Sequence, residues 1–262
     1  MSVSNQGGKE AWDKRATVYG SMPSGVLVKG FPPLLNDYLG NWHGEVILNN
    51  LLSKLPKYTT VLDLGCGYGR ISAFLKKHRP DLTIIGLDFS FIYCQNYKKN
   101  INYSVVCADI TSLPFKKGTF SAIIAVTVIM YLEEEQAQRM VTYLMSLLTS
   151  DGYFLMIEPS REYLTLAALL VGSTSSTGGK GFSLSFFCKL TNLSFVRTEG
   201  QGGMPGFSWF LPIMMLARNN PKFIKFILGI ARFMDSRLSF IKFFSFHRWL
   251  LLHRCKPDYL NG

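Results

Sequence analysis

The residues best placed for chemistry lie between Val61 and Arg70, VLDLGCGYGR. A short β-rich run ends in glycines at alternate positions, Gly65, Gly67 and Gly69, and a helical pattern follows at once. Such glycines permit a tight turn and let a ligand approach the backbone closely. The helix start beyond them offers N–H groups that lack intrahelical partners. Three acids are arranged about this turn. Asp63 lies two residues before the first glycine. A carboxylate there repels a pyrophosphate; it either orders the glycine loop or receives a cationic amino group, directly or through water. Asp88 closes the next strand-like run, in GLDFS, near the spacing of a carboxylate that bonds ribose hydroxyls. Asp109 follows a third run, in VVCADI, where an acid accepts from an adenine amino group with Ala108 and Ile110 beside the ring. Together they describe a nucleoside-bearing ligand with a positive centre and no pyrophosphate. A dinucleotide suits Asp63 and Asp109 poorly, and the GxxxxGK[ST] phosphate loop is absent.

The elements that must hold these residues follow from apolar spacing. Thr60–Leu64, Leu82–Leu87, Tyr103–Cys107, Phe120–Thr127 and Gly152–Ile157 read as strands, and FSAIIAVT is apolar enough for a central parallel strand. Helices are expected over Asn41–Leu55, Ile71–Lys77, Ser90–Asn100 and Glu133–Leu148. Strands alternating with helices argue for parallel βαβ units with helices on both faces. Residues 1–40 read as a lead-in or lid, mobile over its first twenty residues, and 41–160 as the ligand-binding core. Residues 161–262 complete the sheet: a short helix Tyr163–Val171, a flexible loop 172–181, a helix Phe182–Leu190, and strands at Leu193–Thr198 and Trp249–His253, the last closed by Pro257. Helical pieces over about 200–246 form an insertion before the final strand. The fold class is therefore α/β, a doubly wound, mostly parallel, seven-stranded sheet with a helical cap.

With these motifs in order, the sequence resembles the class I S-adenosylmethionine-dependent methyltransferases. VLDLGCGYGR resembles their glycine-rich first motif, GLDFS the second, CADITSLPF the third, FSAIIAVTVIMYL the fourth-strand motif and DGYFLMIEPS the fifth strand. The resemblance covers roughly residues 40–160. It implies a Rossmann-like sheet binding S-adenosylmethionine, with S-adenosylhomocysteine as product, across the C-terminal strand ends. Gly65 and Gly67 would approach the methionine part, with Cys66 in the same turn. Asp88 would hold the ribose and Asp109 the adenine, with Phe89, Ala108 and Ile110 beside the base. Val126 to Val128 would wall the pocket, and Tyr19 would fold over the carboxylate or sulfonium. One departure is Ser121 after Phe120, where members often carry an aspartate.

Methyl transfer from a sulfonium needs no metal and gains chiefly from alignment and electrostatics. His43 is a candidate general base, with helix packing as its plain alternative. Tyr131 could face the reacting methyl, and Glu158, at the end of the fifth strand, could contact substrate. Trp12 and Trp42 could line the substrate mouth. The four histidines and five cysteines show no metal-ligand spacing, so no metal is expected. The stretch TVIMY, Thr127 to Tyr131, lacks an asparagine-proline-proline-tyrosine signature, which favours oxygen or carbon acceptors over amino groups.

Hydrophobic residues make up 48% of the chain and charged residues 17%, which excludes a disordered or acidic-tail protein. The formal charge is +11, and residues 201–262 hold nine basic and two acidic residues. No signal peptide is visible, and the apolar runs are shorter than a bilayer span; a cytoplasmic protein is expected, with peripheral attachment to an anionic membrane left open. From Asn219, Phe223, Phe226, Ile227, Ile230 and Phe233 form an apolar stripe amid Lys222, Lys225, Arg232, Arg237 and Lys242. That stripe either covers a hydrophobic substrate pocket or lies on a membrane surface; nucleic-acid binding is disfavoured because so many aromatics in dense apolar runs would not stay exposed. The expected activity is methylation of a small hydrophobic or lipid-like acceptor. The alternatives are a non-catalytic binding or assembly protein of the same fold and an RNA or protein methyltransferase.

Overall fold

The computed structural model describes residues 6–171 and 179–255. Its centre is a sheet built from β1 (Thr60–Leu64), β2 (Thr83–Asp88), β3 (Ser104–Cys107), β4 (Phe120–Val126), β5 (Leu148–Pro159), β6 (Val196–Gly203) and β7 (His247–Arg254). The spatial order is β3-β2-β1-β4-β5-β7-β6. All neighbouring pairs are parallel except those made by β7, which runs antiparallel to both β5 and β6. The expected seven-stranded, mostly parallel α/β sheet is thus present. In β4 only Ser121 is not buried, which suits a strand covered on both faces. The chain turns from one half of the sheet to the other between β1 and β4, and in open sheets the crevice beyond such strand ends receives ligands.

Helices α4 (Arg70–His78) and α5 (Phe91–Ile101) cross over between the first three strands, and α6 (Glu134–Leu147) leads from β4 to β5. One face of the sheet is covered by α6 and α8 (Leu184–Thr191), through Val141, Leu144, Phe186 and Leu190. The other carries α3 (Pro33–Asn50), whose Leu39 and Ile47 join Phe207 and Ile224 of the insertion. The α3 helix starts earlier than the apolar spacing suggests because Pro33 occupies its first turn, where a missing N–H costs nothing.

Two expectations change. Residues 6–26 hold helices where a lead-in is expected: α1 (Gln6–Tyr19) and α2 (Pro23–Val26) pack beside α5 and α3. Buried Arg15 ties α1 to the next turn, donating to the carbonyls of Ser24 at 2.8 Å and Leu27 at 2.6 Å. The stripe expected near residue 226 is split between two faces. Ile224, Ile227, Leu228 and Ala231 are buried, whereas Phe226, Ile230 and Phe233 look outward. The loop expected over 172–181 lies outside the described residues at 172–178, as does Pro257; α7 spans Arg161–Val171.

The insertion between β6 and β7 is a hairpin of α9 (Pro205–Leu216) and α10 (Pro221–Arg237). It is anchored by Asp235, whose carboxylate accepts the N–H of Gly206 at 2.6 Å, that of Phe207 at 3.2 Å and the Tyr38 hydroxyl at 2.7 Å. One inward acid thus caps α9, holds α10 and reaches α3; burial raises its pKa to about 6. Asp235→Ala leaves three donors without an acceptor and is expected to cost about 2–4 kcal/mol. Urea denaturation measures this, and an unchanged midpoint contradicts the anchoring role.

Candidate active site

A cavity of about 260 Å³ opens at the C-terminal ends of β1, β2 and β4. Its floor is the glycine turn, where Gly65, Gly67 and Gly69 have φ of 66°, 52° and 97°. A Cβ on Gly65 would stand 2.3 Å from Val128 Cγ2, and one on Gly67 2.8 Å from Val26 Cγ1. Both the conformation and the space therefore demand glycine. Asp88 accepts the Gly67 N–H on Oδ2 at 2.8 Å and the Ser90 N–H on Oδ1 at 2.9 Å. These bonds fix the carboxylate plane and leave further lone pairs on both oxygens. Burial raises its pKa to about 6, against the pull of those N–H donors.

Asp63 accepts the N–H of Ser72 at 3.0 Å and its hydroxyl at 2.7 Å on Oδ2. It therefore ties the start of α4 back to β1, which is the loop-ordering role, while also lining the cavity. Burial likewise raises it to about 6. Asp109 accepts the Thr111 N–H at 2.8 Å and hydroxyl at 2.7 Å, holding its turn against the cavity. Phe89, Ala108, Ile110 and Val126 give apolar walls, and Cys66 lines the floor with a thiol pushed up by burial. Gly67 contributes through its bond to Asp88 rather than as wall. Tyr19 stands outside this wall, so the structure does not bring it to the cofactor position.

This wall fits S-adenosylmethionine. It pairs the buried Asp88 carboxylate with the apolar Phe89, Ala108 and Ile110 beside Asp109, and Arg70 lines the same cavity with a buried Nε that has no partner among the described residues. A guanidinium there suits the ligand's carboxylate.

A second cavity, of about 750 Å³ and mostly apolar wall, adjoins the first; Trp12, Val26, Thr127 and Tyr131 line both. Tyr131 meets the edge of Trp12 with ring centroids 5.9 Å apart, at the junction of the two cavities. Two other candidates move. Glu158 is fully buried and lines neither cavity. Its Oε1 accepts the N–H groups of Val128 at 3.1 Å and Ile129 at 2.8 Å, bracing a turn in which Thr127 takes φ 58°. Burial raises it to about 8. It is a positioning residue for the shared wall, not a substrate contact.

His43 is also fully buried away from both cavities. Arg70 donates to its Nδ1 at 3.1 Å, and its Nε2 lies 2.8 Å from His247 Nδ1, with the two rings nearly parallel at 5°. Because a guanidinium only donates, the proton of His43 sits on Nε2 and points to His247 Nδ1. The proton of His247 then sits on its Nε2. Burial pushes His247 down to about 3, so it stays neutral. His247 lines the larger cavity as a neutral donor, and His43 is not a base within reach of substrate. Arg15 lines that cavity too; its Nε is buried without a partner, and no carboxylate pairs with it among the described residues. No group of side chains suited to a metal ion occurs among the described residues. Arg15 and His247 escaped the sequence reading because each is far in sequence from the glycine turn, and Arg70 closes that motif without any local sign of where its side chain points; of the two tryptophans expected at the substrate mouth, Trp12 lines both cavities and Trp42 lines neither.

Residues 61–152 match a family described as a methyltransferase domain. Malonyl-[acyl-carrier protein] O-methyltransferase of Herminiimonas arsenicoxydans is 34% identical over 91 residues, which are 34% of this chain and 34% of that protein. The human mitochondrial arginine-hydroxylase NDUFAF5 is 27% identical over 169 residues, 62% of this chain and 47% of that one. The chain spans about a third or less of the length of the first curated relatives it matches. Geranyl diphosphate C-methyltransferase from Streptomyces coelicolor A3(2), solved with S-adenosyl-L-homocysteine, shares the fold with TM-score 0.59 and 13% identity, over 83% of this chain and 81% of that one.

The Asp88 geometry predicts a pH signature. Ligand hydroxyls donate to the ionised carboxylate, so affinity is complete above its pKa of about 6 and is lost as pH falls through it. Calorimetric affinity for S-adenosylhomocysteine is expected to drop about tenfold between about pH 7.5 and about pH 5. Asp88→Ala is expected to weaken binding by at least about tenfold at the higher pH. Binding within twofold of the parent contradicts the assignment.

Proposed function

We propose that this chain, whose residues 61–152 match a methyltransferase-domain family, is a class I S-adenosylmethionine-dependent methyltransferase that methylates an apolar acceptor carrying an anionic oxygen. The observation that supports this most is the chemistry of the larger cavity. Its wall is mainly aliphatic and aromatic, and it meets the glycine-turn cavity at Trp12 and Tyr131. Its size suits a small-molecule acceptor.

S-adenosylmethionine, when bound, supplies an electrophilic methyl: an acceptor lone pair forms the new bond as the carbon–sulfur bond breaks and sulfur keeps that electron pair. The rest of the reaction is positioning and electrostatics. Asp88 and Asp109 orient the nucleoside, and Arg70 holds the carboxylate end. The turn braced by Glu158 sets Thr127 and Tyr131 at the junction. Arg15 is hydrogen-bonded to two carbonyls but has no carboxylate partner among the described residues, and its free Nε lies in a mostly apolar wall, where an anionic ligand would balance the charge. His247 presents a donor and no base. An acceptor already ionised at neutral pH, such as a carboxylate, needs no base, whereas an alcohol does. The similarity to malonyl-[acyl-carrier protein] O-methyltransferase favours the same oxygen chemistry.

Transfer of radiolabelled methyl from S-adenosylmethionine to medium- and long-chain carboxylates, the matching alcohols and the matching amines tests this reading. The carboxylates are expected to be methylated and the amines not. Arg15→Gln is expected to raise the KM for the acid about tenfold or more, with S-adenosylhomocysteine affinity unchanged. Cofactor binding without transfer to any acceptor favours a binding or assembly protein, and transfer only to RNA or protein replaces the acceptor class.

A further inference from the structure

The outer face of the α9–α10 hairpin differs from the rest of the surface. Phe226, Ile230 and Phe233 are exposed and recur at one-turn spacing along α10, on the side opposite its buried Ile224, Ile227 and Leu228. On α9, Trp209, Ile213 and Leu216 are exposed in the same rhythm, Leu216 at 88%. Phe240 and Phe243 continue the exposed set in the segment before β7. Scattered apolar residues on a surface mean little, but a run of aromatics on adjoining elements marks an interaction face.

The charges beside them are of one sign. Arg218, Lys222, Lys225, Arg232 and Arg237 are exposed. Asp235 is the sole acid between residues 204 and 246, and it is buried in the anchor between α9 and α10. Only Arg232 has an acidic partner among the described residues, Glu45. The face therefore combines outward aromatics with cations of which, among the described residues, only Arg232 is paired with an acid.

This face also adjoins the mouth of the larger cavity. Trp209, Leu216 and Arg218 belong both to the exposed set and to the cavity wall. From this juxtaposition we infer that the α9–α10 hairpin docks on an anionic lipid surface, with its aromatics entering the acyl boundary and its cations facing headgroups, so that the cavity opens toward the bilayer. Helices lying in the interface plane bind through such a combination of apolar area and attraction to anionic lipid. The inference deepens the proposed reading by giving the apolar acceptor a source, yet the docking itself needs neither cofactor nor acceptor.

Flotation of the full chain with vesicles tests it. Binding to phosphatidylcholine vesicles containing phosphatidylglycerol is expected to exceed binding to phosphatidylcholine alone by about tenfold or more, and to fall in high salt. The double substitution Phe226→Glu and Phe233→Glu, at exposed positions, is expected to abolish it with S-adenosylhomocysteine affinity and thermal midpoint unchanged. Lys222→Glu with Lys225→Glu is expected to weaken it at low salt. Equal binding to both vesicle types, no binding, or binding indifferent to the Phe substitutions overturns the inference. So does a chain that sediments as a dimer and becomes a monomer on the same substitutions, which assigns the face to a second copy. Selective binding of an acidic protein without vesicle binding assigns it to a protein partner. Because vesicles report docking and radiolabel reports transfer, either reading can fail alone.

Discussion

The arrangement rests on a backbone that reverses direction within five residues of the end of β1. Left-handed conformations at Gly65, Gly67 and Gly69 bring the chain close to Val128, Val26 and Ile101, where any side chain would collide. The turn is then held by carboxylates from two neighbouring strands. Asp63 binds Ser72 and fixes the start of α4, while Asp88 receives the Gly67 N–H. The acids singled out for ligand chemistry thus support the scaffold as well. Their place inside that scaffold buries them, and burial raises both pKa values to about 6.

The two cavities are coupled through shared walls rather than through a relay of protons. Thr127 and Tyr131 belong to both, and the turn containing them is braced from behind by Glu158. Arg70 lies on the smaller cavity and reaches His43, which reaches His247 on the larger one. This chain runs from donor to acceptor and keeps both imidazoles neutral. It therefore orients a polar atom in an apolar wall and holds an ionic group of the smaller cavity in place, without supplying a base.

What could be read from the sequence was local. The glycine turn, the strand-ending acids and the buried strands each declare themselves within ten residues, since backbone freedom and apolar spacing are properties of neighbours in the chain. Asp88, Asp109 and Tyr131 accordingly line the cavity beside the glycine turn. His43 and Glu158 do not, because nothing local distinguishes a histidine facing substrate from one hydrogen-bonded to His247, 204 residues away. The α10 helix shows the same limit: its apolar residues were visible, but only the packing against α9 and α3 reveals which face stays outside. Arg15 was hidden because what marks it is a guanidinium with carbonyl partners but no carboxylate among the described residues, which only three-dimensional structure can display.

S-adenosylhomocysteine soaked into crystals of the full chain gives the most direct measurement of the central assignment. Both ribose hydroxyls are expected within hydrogen-bond distance of the Asp88 carboxylate, with the adenine between Phe89 and Ile110 and the sulfur turned toward Tyr131. Density for the ligand elsewhere on the molecule, with Asp88 bonded only to Gly67 and Ser90, would contradict the account.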